Sequence, residues 1–178
     1  MPVTPTQPLF STHICFVVLF AFGPLGLETR VQCADALSTT VSGTPEGDAV
    51  LKKEIEKYSG VWKVISITTN GETTFEDERL ILVENTIDGA WFLTIDGEEK
   101  MHGTYHLSPL ANPKEIDLKI TSGDGQGGTL KGIYETTENT RRLCVRGPAA
   151  WRPQEFTGAT GTDCALVEFK RQVAHDAE

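Results

Sequence analysis

The periodicity of the chain changes at Gly60-Val61-Trp62, and this change constrains the fold more than any other feature of the sequence. Before it, Asp48 can cap a helix over residues 49–57, whose apolar side chains fall near one face: Val50, Leu51, Ile55 and Tyr58. After it, apolar residues alternate with polar ones at the period of two that is typical of strands. A short helix followed by many strands favours an antiparallel barrel whose first strand opens with a Gly-x-Trp.

Eight short strands are predicted, several of them separated by the turn signals Asn70-Gly71, Asp88-Gly89 and Asp96-Gly97. The predicted strands are Val61–Thr68, Leu80–Glu84, Ala90–Ile95, Lys100–Leu107, Glu115–Thr121, Thr129–Thr136, Thr140–Val145 and Cys164–Arg171. No helix separates them, and a meander of this length leaves no free edge if it closes. The predicted fold class is therefore all-β: an eight-stranded antiparallel up-and-down barrel with a short N-terminal helix.

Length and charge limit the domain count and the partners. The 178 residues allow one domain, predicted over 49–172, with a polar linker at 37–48 and a tail at 173–178. The net charge of -9 and the pI of about 4.9 argue against nucleic acid and against anionic membrane surfaces. The mature domain is predicted not to span a membrane, and its oligomeric state is left open.

Residues 1–36 are predicted to form a signal peptide. The apolar run that begins at Ile14 fades after Leu27, which suits a signal-peptide core better than a membrane span of about 20 residues. Small residues around Cys33 and Ala36 offer cleavage sites, although residues 1–13 contain no Lys or Arg. An uncleaved anchor or a buried core strand is the alternative. Export predicts an extracytoplasmic location, periplasmic or secreted.

Two of the four cysteines, Cys144 and Cys164, lie in consecutive predicted strands of the mature domain. A disulfide is possible if they face one another, since exported chains are often oxidised. Two separate buried thiols are the alternative, because free cysteine is commonly buried. Without nearby histidines the pair does not indicate a zinc site.

Several patterns that could suggest chemistry have simpler interpretations. Residues 123–128 match G-x-G-x-x-G, but a strand and not a helix follows, which favours a hairpin loop over a dinucleotide site. His102 and His106 share a strand face about 13 Å apart, too far for one metal ion. No G-x-S-x-G elbow is present. The sequence therefore predicts no catalytic residue, no cofactor and no metal site, and no enzyme.

The long segment 146–161 is the candidate mouth or binding loop. Connections of this length are uncommon in compact domains unless they act as lids, binding loops or disordered segments. It carries Trp151, Arg152 and Phe156, residue types enriched at binding hot spots. The alternative is that Phe156 enters the barrel mouth and the rest simply connects two strands.

Several short segments, taken in order, resemble a small lipocalin-like domain family of unknown function that is expanded in planctomycete bacteria and usually follows a signal peptide. They span about two-thirds of the chain and are Gly60–Val64, Asn70–Glu72, Gly103–Tyr105, Pro113–Leu118, Gly132–Glu135, Leu143-Cys144, Arg152–Phe156 and Phe169–Arg171. Trp151 and Cys164 depart from the family pattern. The resemblance implies a closed or nearly closed barrel, an extracytoplasmic location and no established catalytic residues.

In lipocalins the first-strand Trp lies at the closed end of the barrel and a late Arg packs across it. The resemblance therefore implies structural roles for Gly60, Trp62 and Arg171, with Trp62 buried against the helix or against Arg171. A guanidinium over an indole face contributes about 0.5–2 kcal/mol, depending on burial.

Two functions follow from this architecture. The first is an exported, non-catalytic domain that binds a small apolar or amphipathic ligand in the barrel. The second is a filled barrel that serves as a structural or protein-interaction module of the cell envelope. An eight-stranded barrel allows either, because its interior can be filled by side chains or hold one small ligand. The bulky residues expected inside are Trp91, Phe92, Tyr105, Tyr134 and Phe169.

Overall fold

The structure, a computed structural model, describes residues 45–76, 78–148 and 150–172. The predicted signal peptide, the predicted tail and the first part of the predicted linker lie outside these residues. The elements are one helix and nine strands: α1 (Pro45–Tyr58), β1 (Gly60–Thr69), β2 (Glu72–Phe75), β3 (Ile81–Asn85), β4 (Ala90–Ile95), β5 (Glu98–Ser108), β6 (Glu115–Ser122), β7 (Thr129–Thr136), β8 (Thr140–Arg146) and β9 (Cys164–Arg171).

The strands form one antiparallel sheet that closes on itself. Each strand from β3 to β8 pairs with the next, β1 pairs with β3, and the ladder between β1 and β9 completes the ring. The predicted fold class, an all-β eight-stranded antiparallel barrel with a short helix, is confirmed. Trp62 lies opposite Arg171 in the closing ladder, so the first and last strands meet at the Gly-x-Trp segment.

The sequence did not predict β2. This strand pairs with the part of β1 that runs beyond β3, at Ser66–Thr69, and all four of its side chains are exposed. An exposed strand buries no apolar face, so it lacks the alternation by which the other strands were predicted. Because β2 continues the position of β3 along β1, the ring itself keeps eight strands.

The helix begins earlier than predicted. α1 starts at Pro45, so the predicted linker is wrong over 45–48, and Asp48 lies in the first turn and is not the cap. Proline suits the first turn because its missing N–H would have no partner there. Glu46 and Asp48 place carboxylates near the positive end of the helix dipole. Among the described residues, no helix has the length and apolar character needed to cross a membrane.

Inward-facing side chains fill the barrel and form the main core. On β4 the alternate residues Trp91, Leu93 and Ile95 are buried, and the other strands contribute in the same way. Tyr58 of α1 adds its ring to one end of this core. The core also contains four of the aromatic residues expected inside: Trp91, Tyr105, Tyr134 and Phe169.

The fifth, Phe92, was wrongly placed inside. It is half-buried on the outer face of β4, opposite His102, with the two ring centroids 5.9 Å apart. The segment Trp91-Phe92-Leu93 is apolar on both faces, so alternation does not indicate which face points inward. His102 and His106 lie on the outer face of β5, as predicted, and buried Gly103, Tyr105 and Leu107 form its inner face.

Candidate binding site in the barrel interior

One end of the barrel lies beneath α1 and is called the closed half below. Its inward side chains include Tyr58, Trp62, Asn85, Arg141 and Phe169, all of them buried. Trp62 is 0% exposed, and its Nε1 donates to the carbonyl of Tyr58 at 2.9 Å. A buried indole whose N–H is paired contributes its full apolar area to the core. The helix and the first strand are thereby joined at one ring.

Arg171 packs over the other side of this joint. Its guanidinium carbon lies 4.0 Å from the centre of the Trp62 ring, the contact that the resemblance implied. The same group donates to the carbonyls of Lys57 at 2.6 Å, Ser59 at 2.8 Å and Glu138 at 2.7 Å. Two of these carbonyls belong to the C-terminal end of α1, where a cation interacts favourably with the helix dipole.

Gly60 makes this approach possible. Its φ of +115° is a conformation that residues with a side chain rarely adopt. A Cβ at this position would lie 2.7 Å from Nη1 of Arg171. The Gly-x-Trp segment therefore needs glycine for two reasons, the backbone conformation and the room for the guanidinium.

Arg141 is the functional candidate that the sequence interpretation missed. It is 1% exposed, and its guanidinium carbon lies 4.2 Å from the ring centre of Phe169, 4.6 Å from that of Tyr58 and 4.9 Å from that of Trp62. Aromatic faces attract a desolvated cation by about 2 kcal/mol or more. A signal was present, because Arg141 has the same parity on β8 as the inward residues Leu143 and Val145.

The hydrogen bonds of Arg141 are incomplete. Nη1 donates to Oδ1 of Asn85 at 2.7 Å, whereas Nε and Nη2 are buried without a hydrogen-bond partner. Burial lowers the pKa of Arg141, and the nearby charge of Arg171 lowers it further against the opposing effect of Tyr58. A buried charge is usually paired with a counter-charge, but here the one hydrogen-bond acceptor found for it among the described residues is the neutral amide of Asn85.

A second buried polar residue lies at the same end of the barrel, on the helix that covers it. Glu54 of α1 is buried and accepts from Nζ of Lys114 at 2.7 Å. The pKa of the Tyr134 phenol is raised, chiefly by burial and also by the charge of Glu54. The ring of Tyr134 packs edge-on against Tyr58, with centroids 5.2 Å apart. The helix is thus held by an ion pair, stacked rings and the Arg171 bonds together.

The other end of the barrel has a different lining. Five inward aliphatic or thioether side chains from β1, β5, β7, β8 and β9 pack on the core while remaining partly exposed: Ile67, Met101, Leu130, Val145 and Val167. Their cross-strand partners include buried core residues, as in the pairs Leu118–Leu130 and Leu143–Val167, which fixes their inward orientation. These five residues are called the open cup.

The segment 146–161 connects the cup ends of β8 and β9, and the carbonyl of Gly158 accepts a hydrogen bond from Gly71 in the turn after β1 at 2.7 Å. Its role as a binding loop stays a prediction. Arg152 donates to the carbonyls of Ile116 and Gly132 and to Asp117, each at 2.7 Å, and it also pairs with Glu115 at 3.2 Å. These partners belong to β6 and β7, so Arg152 fixes the loop to the outer wall. The charge of Arg152 is paired with the carboxylates of Asp117 and Glu115 on this wall.

The two aromatic residues of this loop have different environments. Phe156 packs on an outer cluster with Ile133, Cys144 and Leu166. The alternative prediction that Phe156 enters the barrel mouth is therefore wrong. The guanidinium carbon of Arg142 lies 4.7 Å from its ring centre. Trp151 is 87% exposed. Of the three candidate residues, Trp151 is the one that is freely accessible.

Cys144 and Cys164 do not form the disulfide that the sequence left possible, and both residues are free buried thiols. Cys144 lies opposite Leu166 and Cys164 opposite Arg146, so the two cysteines are diagonal neighbours on the outer face. Each thiol donates to a loop carbonyl at 3.3 Å, Cys144 to Thr157 and Cys164 to Thr162. Burial raises the pKa of Cys144 to about 11. The alternative of two buried thiols is the observed one.

Two clefts flank α1 on the outside of the barrel. One, of about 250 Å³, is lined by Leu51, Ile55 and the exposed Ile87, together with two polar helix residues. The other, of about 460 Å³, is lined by the first turns of α1 and the exposed Leu110. Both are open surface grooves outside the barrel ring.

The remaining sequence motifs have structural roles. Residues 123–128 form the turn between β6 and β7, and a strand follows them, as predicted. Nδ1 of His102 lies 2.7 Å from Oε1 of Glu99 on the surface. Within the part of the chain that the structure describes, no three metal-ligating side chains come together.

No family model, no curated protein and no solved structure matches this chain. The functional conclusion therefore depends on the geometry of the barrel alone.

Proposed function

We propose that this protein is an exported, non-catalytic lipocalin-like domain that binds a small apolar or amphipathic ligand in the open cup, and that it belongs to the family its sequence resembles. The observation that carries the proposal is the partial exposure of five inward apolar side chains at one end of a closed barrel. A barrel filled only for stability would gain by covering them. Here α1 covers the opposite end.

The energetics support a ligand at this position. Apolar surface removed from water contributes about 25 cal/mol per Å². The cup side chains are already held by the sheet, so a ligand that covers them loses little protein entropy on binding. Because the lining offers apolar contacts from five strands, the ligand part that occupies the cup is hydrocarbon-like.

The test is the binding of a neutral phenylnaphthylamine dye to the protein as its native host produces it. Dye fluorescence should rise on binding, and Met101→Glu, which places a carboxylate in the cup, should abolish the rise. Ile87→Glu is the matched control, since it adds the same charge to an exposed apolar residue beside α1. A dye that binds both variants equally well would contradict the proposed site.

A specific observation favours a second candidate, the protein-interaction module. The grooves beside α1 expose Ile87 and Leu110, which are 65% and 75% exposed. Exposed apolar patches mark interaction surfaces. If this candidate is correct, Ile87→Glu and not Met101→Glu will remove binding, whether of the dye or of a protein partner.

Export has its own test. The apolar run and the small residues near Cys33 lead us to expect a mature chain that begins near Ala34 or Leu37. Amino-terminal sequencing of the protein from its native host measures this directly. A protein that still begins at Met1 would contradict cleavage.

A further inference from the structure

We propose that the preferred ligand of the barrel is an acid, an apolar chain with a terminal carboxylate, and that Arg141 receives the carboxylate at the closed half while the chain occupies the open cup. This inference rests on the proposed function and names its ligand class. It begins from a fully buried cation that lacks an acidic partner among the described residues.

The unpaired groups around Arg141 are hydrogen-bond donors. Its Nε and Nη2 have no partner, and Oγ1 of Thr136, which lies directly opposite on β7, is also buried and unpaired. Nε1 of Trp91 is a further unpaired donor of the interior. A carboxylate carries two oxygen atoms that accept such bonds, and a guanidinium fork matches it in geometry. An alcohol or an amine does not satisfy a buried cation in this way.

The existing surroundings of Arg141 stabilise its charge only partly. Three aromatic faces and the amide oxygen of Asn85 contact it, and the nearby Arg171 adds a second positive charge. Carboxylates of the protein lie elsewhere: Glu54 pairs with Lys114, and Glu135 pairs with Arg142 on the outer face. A ligand carboxylate would supply the negative charge that the described side chains do not.

The barrel wall connects the two parts of the site. Arg141, Leu143 and Val145 follow one another on the inner face of β8, and the Cα atoms of Arg141 and Val145 are about 13 Å apart along the strand. Leu143, which is 7% exposed, lies between them. An acid that reaches Arg141 must therefore pass Leu143 and displace its side chain. Leu143→Ala should open this path and tighten acid binding.

The experiment compares three ligands that share one chain length: decanoate, decanol and decyltrimethylammonium. Binding to the native-host protein is measured by displacement of the neutral dye and by calorimetry. A charged acceptor paired with Arg141 should give decanoate an advantage over decanol of about tenfold or more, and the cation should bind most weakly.

Variants locate the effect. Arg141→Met should remove the preference for decanoate while decanol binding remains. Arg142→Met is the matched control, because that neighbouring arginine faces outward and pairs with Glu135 at the surface. If Arg141→Met does not fold, the wild-type comparison of acid with alcohol and the Leu143→Ala variant still test whether Arg141 receives the carboxylate.

The outcomes separate the two proposals. Equal affinity for decanoate and decanol, or a preference that survives Arg141→Met, would overturn the role of Arg141 and leave the cup as an apolar site. Such a result means that ordered water fills the donors. If none of the three ligands binds and the dye does not bind either, the proposed function itself fails, and this inference with it.

Discussion

The closed half and the open cup are built from the same strands, yet their inward side chains differ in how far they are exposed to solvent. At the closed half, Trp62, Tyr58 and Arg141 are 0–1% exposed, and a helix covers them. At the cup, five apolar side chains stay partly exposed. The closed half therefore carries most of the stability, and the cup keeps the accessible apolar surface.

The largest expected effect is at the closed half. Trp62→Ala removes a fully buried indole and its bond to Tyr58, and we expect a loss of about 3–5 kcal/mol in the free energy of unfolding. Trp151→Ala, at an 87% exposed position, should change it by less than about 0.5 kcal/mol. Urea unfolding of both variants measures the contrast. Similar losses would refute the separation of structural from exposed aromatics.

The next effect concerns the hydrogen bond between Arg141 and Asn85, the single one that Arg141 makes with the described residues. Asn85→Ala should cost about 3 kcal/mol, because it leaves a buried cation with no acceptor. Replacing the arginine as well, in the double variant Asn85→Ala with Arg141→Met, should recover most of this loss. The double-mutant cycle separates the penalty of an unpaired charge from a loss of packing. Additive losses would mean that the amide serves packing alone.

A matched pair of valines compares the two regions with the same chemical change. Val64 is 3% exposed in the core, and Val145 belongs to the open cup. We expect Val64→Ala to cost about 2 kcal/mol and Val145→Ala about half of that, since the cup residue loses less buried area and leaves no enclosed cavity. Thermal unfolding distinguishes them. Equal costs would mean that the cup is packed like the core.

The smallest effect is a pH dependence that comes from the closed half, which contains all three tyrosines of the chain. Burial raises the pKa of Tyr58, Tyr105 and Tyr134 above the ordinary value of 10.0. Their contribution to stability is complete below pH 10 and is lost as the pH rises through the folded-state values, because the unfolded chain ionises first. Phenolate absorbance should therefore appear only with unfolding. Its appearance in the folded barrel would contradict burial of the rings.

Cys144 titrates in an overlapping window and requires a control. Its pKa of about 11 exceeds the ordinary 9.0, so its contribution declines between those values as the pH rises. The variant Cys144→Ala removes this part of the alkaline dependence. The portion that remains belongs to the tyrosines.

Much of the fold could be predicted because burial imposes alternation on eight strands. The exceptions are informative. Glu72–Phe75 pairs without burying a face, and Phe92 lies in a segment that is apolar on both faces. In each case the signal that reveals a strand or its inward face is missing from the sequence. Tertiary contacts decide both the pairing of Glu72–Phe75 and the outward orientation of Phe92.

The site was harder to predict than the fold. The anchoring of Arg152 to two backbone carbonyls depends on how the loop returns across β6 and β7, which composition does not encode. The offset between Cys144 and Cys164 depends on the register of β8 and β9. Arg141 was accessible in principle, since its parity on β8 indicates an inward side chain. A charged residue at an inward position was the strongest sign of the candidate site in the sequence, and the prediction did not use it.

The closing contact of Arg171 also has a consequence for biosynthesis. Trp62 near the beginning of the domain finds its strand partner only at the last residues of β9, and Arg171 then fixes the end of α1. Until those residues are synthesised, β1 and β8 remain open edges and the helix lacks the hydrogen bonds from Arg171. The barrel therefore cannot close while the chain is still leaving the ribosome. Folding can be completed only after the C-terminal strand has been released.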